Sequence, residues 1–311
     1  MEDAAFAADM YTALYPDDPQ DPVRYEHFWR EPDSTAVMER FIAERDGERV
    51  GYGYQRHTKW DRTPERYGGI GADLVPEHRT PERLEALTAA MEERSAAEGA
   101  RTITTYCWER DAVRLAMLER RGFREERRQR FWELDLRANR ERIRGMTEES
   151  RARMRDQGIA VMSIDRDGDP EKWRKLWRMS VEAEQDIPTT VPITETPFDD
   201  FMKWMRSPGA HEDRIWIARE GDRILGVSML SYPTGRGMVQ TDWTGVARDG
   251  RGRGVARALK CETVTQALAL GVDRVRTDND GENAPILHIN ETMGYRRLPD
   301  MIQLLKTAPP A

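Results

Sequence analysis

The stretch TDWTGVARDGRGRGVARALK, residues 241–260, decides the fold. A predicted strand ends near Val246, and a charged turn then leads into a predicted helix over 253–270. Glycines at the start of a helix let backbone N–H groups approach an anion, and the helix dipole adds about half a positive charge there. The segment therefore predicts a cradle for a pyrophosphate group. Its glycines are Gly250, Gly252 and Gly254, and the arginines that can add charged hydrogen bonds are Arg251, Arg253 and Arg257.

Two other phosphate-binding patterns do not fit this segment. It lacks the Gly-Lys-Ser/Thr ending of a P-loop and the spacing of a dinucleotide fingerprint. It also follows the third strand of a predicted meander rather than the first strand of a βαβ unit. The predicted order is strand 159–163, helices near 171–183 and 197–206, strands 213–219, 224–232 and 238–246, helix 253–270, strand 273–278, helix 284–293 and a last strand near 296–306. This order predicts an α+β fold with helices around a central sheet.

The chain also contains an internal repeat. The segments FIAERDGERVGYG (41–53) and WIAREGDRILGVS (216–228) both predict a β-hairpin. Further along, matching residues are separated by a constant 172 positions: Arg79 and Arg251, Gly99 and Gly271, Thr105 and Thr277, Gly122 and Gly294, Phe123 and Tyr295. Such a constant offset predicts two copies of one fold. The boundaries expected are a first domain over 1–137, a charged, solvated linking helix over 138–157 with a break near Gly145, and a second domain over 158–311.

Composition supports two ionic domains and excludes several classes of protein. The chain has 311 residues, 38% hydrophobic and 34% charged, with 49 basic against 56 acidic residues and a net charge of -7. This balance argues against nucleic acid and anionic lipid as partners. Two isolated cysteines exclude a disulfide framework and a zinc ribbon, so no metal is expected. No apolar run reaches the ~18 residues of a membrane helix, and the acidic start predicts a cytoplasmic protein.

Two motifs resemble those of the GNAT N-acetyltransferase superfamily. Arg251-x-x-Gly254-x-Ala256 is similar to its coenzyme A motif, Arg/Gln-x-x-Gly-x-Gly/Ala. The stretch TDNDGENAPILHINETMGYRR, residues 277–297, resembles its second conserved block. The resemblance implies two tandem GNAT folds, each a mixed, mostly antiparallel sheet flanked by helices, with a cofactor cleft between the splayed fourth and fifth strands. The two-copy layout resembles that of mycothiol synthase-like acetyltransferases.

The resemblance also implies how acetyl-CoA is held. The backbone around Val246 and Arg248 would pair with the pantetheine arm, and residues 251–257 would surround the pyrophosphate. Asn283 would contact the cofactor arm, although a helix N-cap explains it equally well. The full set expected to bind acetyl-CoA is Thr244, Val246, Ala247, Arg248, Arg251, Gly252, Arg253, Gly254, Val255, Ala256, Arg257 and Asn283.

The catalytic residues are less clearly marked. Where the family often has a tyrosine as general acid, this chain has Asn290, which cannot donate a proton as an acid. A thiol with a pKa near 8.5 leaves without strong acid help. Asp242 is the expected general base, or an ordinary strand carboxylate paired with an arginine. Glu182 and Asp186 precede a proline-rich loop and are expected to bind a cationic amine, or to form an exposed acidic turn.

The first copy has lost its cradle. The offset places RTPERL (79–84) there, so that Thr80 and Glu82 replace Gly252 and Gly254 and Pro81 removes an N–H group. Domain one is therefore expected to bind no acetyl-CoA and to support domain two or shape its acceptor cleft.

The function predicted is acetyl transfer from acetyl-CoA to a primary amine of a small molecule, by direct attack in a ternary complex, an activity of the EC 2.3.1 class. Cys261 lies inside a predicted helix and is not expected to carry the acyl group. The alternatives are a mycothiol synthase-like enzyme, a peptide N-acetyltransferase, and a non-catalytic acyl-CoA-binding sensor. A monomer is expected, because an internal repeat can replace a homodimer.

Overall fold

The N-terminal half begins with two helices and continues as an alternation of strands and helices. The computed structural model describes residues 2–308. The elements of this half are α1 (Glu2–Leu14), α2 (Pro22–Arg30), β1 (Ala36–Arg45), β2 (Glu48–Thr58), β3 (Tyr67–Leu74), α3 (Pro81–Ala97), β4 (Thr102–Trp108), α4 (Ala112–Arg120) and β5 (Arg124–Asp135).

The C-terminal half repeats this order behind a linking helix. Its elements are α5 (Arg140–Asp156), β6 (Ala160–Ser163), α6 (Lys172–Glu184), α7 (Phe198–Met205), β7 (Ile215–Glu220), β8 (Arg223–Ser231), β9 (Gln240–Val246), α8 (Val255–Ala269), β10 (Arg274–Asp280), α9 (Ala284–Met293), β11 (Arg296–Arg297) and β12 (Met301–Thr307). The predicted α+β fold and both hairpins are confirmed, since β1 pairs with β2 and β7 with β8 in antiparallel register. The predicted last strand is interrupted between β11 and β12.

The repeat is visible in the backbone as well as in the sequence. Gly99 and Gly271 both have positive φ after a long helix, as do Gly122 and Gly294 after a shorter one. A left-handed residue ends a helix most easily when it is glycine, because glycine has no Cβ to clash. The constant spacing of these glycines therefore reflects equal helix ends in the two copies.

The two halves exchange their last strands. The sheet order is β1-β2-β3-β4-β12-β5-β10-β9-β8-β7-β6, so β12 lies between β4 and β5, and β5 pairs with β10. Each exchanged strand contributes side chains to the hydrophobic core of the other half. Ile302 and Leu304 of β12 pack in the N-terminal core, whereas Trp132 and Leu134 of β5 pack in the C-terminal core. Burying each such side chain contributes roughly 1.5–3 kcal/mol. Each half thus depends on the other for part of its core.

The linking helix differs from its prediction. α5 runs without a break through Gly145, and it is not a fully solvated helix, because Ile143, Thr147, Ser150 and Met154 form a buried stripe along it. These residues recur every three or four positions, which places them on one helical face. That face packs on α8, with Thr147 Oγ1 2.9 Å from Thr265 Oγ1. Among residues 2–308 no helix is both long and apolar enough to cross a membrane.

Candidate active site

A cleft opens where two parallel strands of the C-terminal half separate. β9 and β10 pair only at Gln240 and Arg276 and diverge beyond that point. The cleft between them has a volume of about 550 Å³ and is lined by both strands, by the start of α8 and by the start of α9. Because the pairing ends so early, the edge of β9 that faces the cleft has backbone groups available to a ligand.

The turn before α8 has the geometry of an anion cradle. Gly252 and Gly254 have φ values of 73° and 93°, a region that residues with a Cβ rarely adopt. A Cβ on Gly254 would also come within 3.0 Å of Arg153 Nε. Among the residues that the structure describes, no side chain caps the N-terminus of α8, so the amides of its first turn are open to an anion.

The three arginines of this turn point in different directions. Arg251 lines the cleft and donates through Nε to the carbonyl oxygen of Val246 at 3.2 Å. Arg253 turns away to Glu220, with its Nη2 2.6 Å from Oε1, and Arg257 pairs with Glu149. Of these arginines, Arg251 is therefore the one placed to contact a pyrophosphate.

Two predicted acceptor residues lie beside the cradle. Asp186 pairs with Arg248 at 2.8 Å and with Arg251 at 2.7 Å, and these two cations hold the pKa of its carboxyl well below its usual range. Glu182 Oε1 accepts a hydrogen bond from the backbone N–H of Arg248 at 2.7 Å. Both carboxylates thus contact residues expected to hold the cofactor, and their role in binding an amine stays a prediction.

Comparisons with known proteins identify this arrangement. Residues 173–295 match the family model described as Acetyltransferase (GNAT) family. They form a GNAT domain. The whole chain resembles a tandem GNAT protein from the clavulanic acid biosynthesis pathway, with a TM-score of 0.75, 16% identity, and coverage of 100% of this chain and 96% of that one. It also resembles a GCN5-related N-acetyltransferase from Sphaerobacter thermophilus, with a TM-score of 0.64, 19% identity, and coverage of 100% and 94%. No curated protein matches the sequence.

These findings confirm the predicted family resemblance and the tandem GNAT fold. The cleft between β9 and β10 is the splayed-strand cleft that the resemblance implied for the second copy. At these identities the structural likeness establishes the fold alone.

Asp242, the predicted base of the GNAT domain, is held by two donors. Arg24 Nη2 lies 2.7 Å from one carboxylate oxygen, and Trp204 Nε1 donates to the other at 3.0 Å. Asp242 is also the extra residue of a β-bulge, because Met229 pairs with Trp243 and Leu230 pairs with Thr241. The structure therefore shows the arginine-paired arrangement that the sequence left open, with the arginine supplied by α2 of the N-terminal half.

The two asparagines occupy different depths. Asn283 lines the cleft and makes no side-chain capping bond at the start of α9, which favours the cofactor contact over the N-cap. Asn290 is fully buried and donates through Nδ2 to Asn279 Oδ1 at 2.7 Å. Asn279 lines the cleft in its place. Any effect of Asn290 on a reaction would therefore pass through Asn279.

Asp278 is a site residue that the sequence analysis did not single out. It lines the cleft from β10, and its carboxylate accepts a hydrogen bond from Gln129 of β5. Burial raises its pKa to about 6, and the charges of Asp18 and Asp242 act in the same direction. Within residues 2–308 it has no ion-pair partner. Asp278 stands in the quoted block TDNDGENAP, but its burial depends on the exchanged strand β5.

Lys260 is a second residue that sequence reasoning missed. It lies on α8, is 1% exposed and lines the cleft. Its Nζ has no hydrogen-bond partner in the described chain and lies 5.3 Å from the centre of the Tyr295 ring. Burial lowers the pKa of this ammonium to about 8. Lys260 lies on the side of α8 that borders the cleft, whereas α5 contacts other residues of this helix, Glu262 and Thr265.

The equivalent cradle of the N-terminal half is closed by ion pairs. Arg79 pairs with Asp73, with Nε 2.6 Å from Oδ1, and also with Asp111. Arg114 Nη1 lies 3.0 Å from Asp73, and Thr80 caps α3 by accepting from the N–H of Arg83. A pyrophosphate would have to break these contacts. That this half binds no acetyl-CoA stays a prediction.

Proposed function

We propose that the protein transfers an acetyl group from acetyl-CoA to the primary amine of a small molecule, by direct attack within a ternary complex. One observation carries the proposal: the cleft of the GNAT domain joins an open anion cradle to a carboxylate, Asp278, whose pKa of about 6 suits a general base. A cradle alone would serve any acyl-CoA-binding protein, whereas the carboxylate at the other end of the cleft suits proton transfer.

The residues of the cleft fit acetyl-CoA. The open amides at the start of α8 and the guanidinium of Arg251 match a pyrophosphate. The free edge of β9 from Thr244 to Val246 can pair with the amides of a pantetheine arm. Asp186 would have to release Arg251, and this exchange of one anion for another costs little at an exposed pair. Acetyl-CoA supplies the activated thioester.

Residues of the cleft then accept the proton that the substrate ammonium must lose. An alkyl ammonium has a pKa near 10 and must lose a proton before its nitrogen can attack. Asp278 is ionised at neutral pH and takes this proton, while the C–N bond forms and the C–S bond breaks. The coenzyme A thiolate takes a proton from solvent, so the absence of a tyrosine at Asn290 does not block the reaction.

Asp242 remains the second candidate for the base. Its two oxygens are occupied by Arg24 and Trp204, so it would have to exchange a partner before it could accept a proton. Asp278→Asn and Asp242→Asn separate the two assignments. A base lowers kcat when it is replaced, whereas the Arg24 contact mainly positions α2 against the cleft.

Isothermal titration with acetyl-CoA, followed by thiol release against a panel of amines, tests the proposal. We expect one site per chain, lost in Gly254→Glu because the side chain is strained, meets Arg153 and repels phosphate. Gly158→Glu is the matched control, since Gly158 also has a positive φ of 70° but open space around it and lies outside the cleft lining. Absence of acetyl-CoA binding would overturn the proposal. Two bound equivalents per chain would overturn the assignment of the binding site to one half. Binding without thiol release would instead indicate a sensor.

A further inference from the structure

We propose that the N-terminal half supplies the acceptor pocket, and that the acceptor is an amine with an aromatic or apolar body. The pocket is a cavity of about 320 Å³ in that half, here called the tyrosine cavity. Six tyrosines line it: Tyr11, Tyr15, Tyr25, Tyr52, Tyr54 and Tyr106. The inference rests on the proposed function, because it names the substrate class of the same reaction.

The tyrosine cavity occupies the place of a second cofactor cleft. β3 and β4 pair at Tyr67–Thr102 through Gly69–Thr104 and then separate, as β9 and β10 do in the other half. Tyr106 of β4 stands at the repeat position of Asp278, since the two are 172 residues apart. The cradle end is closed by the ion pairs of Arg79. What remains is a cavity of about 320 Å³, smaller than the cleft of about 550 Å³ between β9 and β10 and within the volume range of small-molecule sites.

The tyrosine cavity adjoins the catalytic cleft beside Asp278, the proposed general base. Gln129 lines both cavities, and its side-chain amide donates to the carboxylate of Asp278. A second connection runs through Tyr11, whose hydroxyl donates to Asp18 at 3.0 Å. The charge of Asp18 in turn contributes to the raised pKa of Asp278. A ligand body in the tyrosine cavity would therefore point its amine past Gln129 toward Asp278.

The lining selects the chemistry of this ligand. Burial raises the pKa of Tyr25 and of Tyr52, so both hydroxyls stay protonated and neutral. Trp108 and Met10 add further apolar surface. Aromatic faces bind aromatic rings and also attract a cation, and the carboxylate of Asp278, which Gln129 contacts from the shared wall, would attract an ammonium group. An arylalkylamine satisfies both ends, and a small polar amine such as ethanolamine satisfies only one.

Steady-state thiol release with 2-phenylethylamine and with ethanolamine tests the inference. We expect kcat/KM to be at least tenfold higher for 2-phenylethylamine. Tyr106→Ala should raise KM for 2-phenylethylamine about tenfold, more than it raises KM for ethanolamine, and leave the acetyl-CoA affinity unchanged. Tyr106 is 45% exposed, so its truncation should not unfold the chain, and Tyr106→Phe is the matched control that keeps the ring. Ala7→Leu, which adds volume on the α1 side of the tyrosine cavity, should act in the same direction.

The outcomes separate this inference from the proposed function. Thiol release that favours ethanolamine, or that is indifferent to Tyr106→Ala, would overturn the inference and leave the proposed function standing. If no amine releases thiol, calorimetric binding of 2-phenylethylamine that Tyr106→Ala abolishes would still support the tyrosine cavity as its site. Absence of such binding would overturn it.

Discussion

Replacing Lys260 with methionine should stabilise the protein at neutral pH. The ammonium of Lys260 is buried beside the cleft and is protonated at pH 7 despite its burial, and its Nζ finds no hydrogen-bond partner among residues 2–308. Methionine has nearly the same length and no charge, so it fills the same space without the desolvation penalty.

The magnitude follows from the shifted pKa. The value is about 8 in the folded chain against an ordinary 10.5. One pKa unit corresponds to about 1.4 kcal/mol, so burying the ammonium lowers the free energy of unfolding by about 3 kcal/mol. This holds below about pH 8, where Lys260 is protonated in both the folded and the unfolded chain. Between pH 8 and 10.5 the folded chain has released a proton that the unfolded chain still holds. The free energy of unfolding of the wild type should therefore rise through this window, relative to the variant.

Urea denaturation of both proteins at intervals from pH 7 to pH 10.5 measures this difference directly. Taking the difference between wild type and Lys260→Met cancels the titration of other groups, and Lys59→Met is the control because Lys59 is exposed. The difference should be about 3 kcal/mol in favour of Lys260→Met at pH 7 and should vanish near pH 10.5. A difference that does not change with pH, or a wild type that is more stable at pH 7, would refute the reasoning and show that Nζ has a partner.

Three further predictions concern the cleft and the closed cradle. Asp278→Asn should lower kcat by about 10²-fold or more and remove the fall in kcat/KM below pH 6 that is expected of the wild type, measured by pH profiles of thiol release. Asp186→Asn should tighten acetyl-CoA binding by up to about fivefold in calorimetry, because Arg251 is freed; weaker binding would mean that Asp186 positions this arginine. Asp73→Asn should cost about 3 kcal/mol of stability in urea, since Arg114 is left buried and uncompensated, with an unchanged acetyl-CoA affinity.

The positioning of the catalytic cleft depends on both halves of the chain. Arg24 of α2 holds Asp242, Gln129 of β5 contacts Asp278, and α5 covers the helix that carries Lys260. Each of these contacts joins a residue inside the segment 173–295, which matches the family model, to a residue outside it. Changes in the N-terminal half are therefore expected to alter the reaction without touching the cofactor cradle.

The sequence by itself determined the fold, the repeat and the place of the cradle. Each of these depends on local chemistry. Glycines such as Gly254 occur where the backbone needs positive φ, and the constant offset of 172 records an equal spacing of corresponding turns in the two copies. Helix ends and hairpin turns are specified by a few neighbouring residues, so they can be predicted without knowing what packs against them.

Only the tertiary structure decided which side chains lie together at the bottom of the cleft. The sequence gives no sign that β5 and β12 change places, because either strand could complete either sheet by its own pattern. Without that exchange, Asp278 has no Gln129 beside it. The burial of Lys260 likewise depends on packing at the cleft, where its Nζ lies near the ring of Tyr295. A pKa depends on burial and on charges from elements distant in the chain, so the raised pKa of Asp278 and the lowered pKa of Lys260 could not be predicted from their own segments.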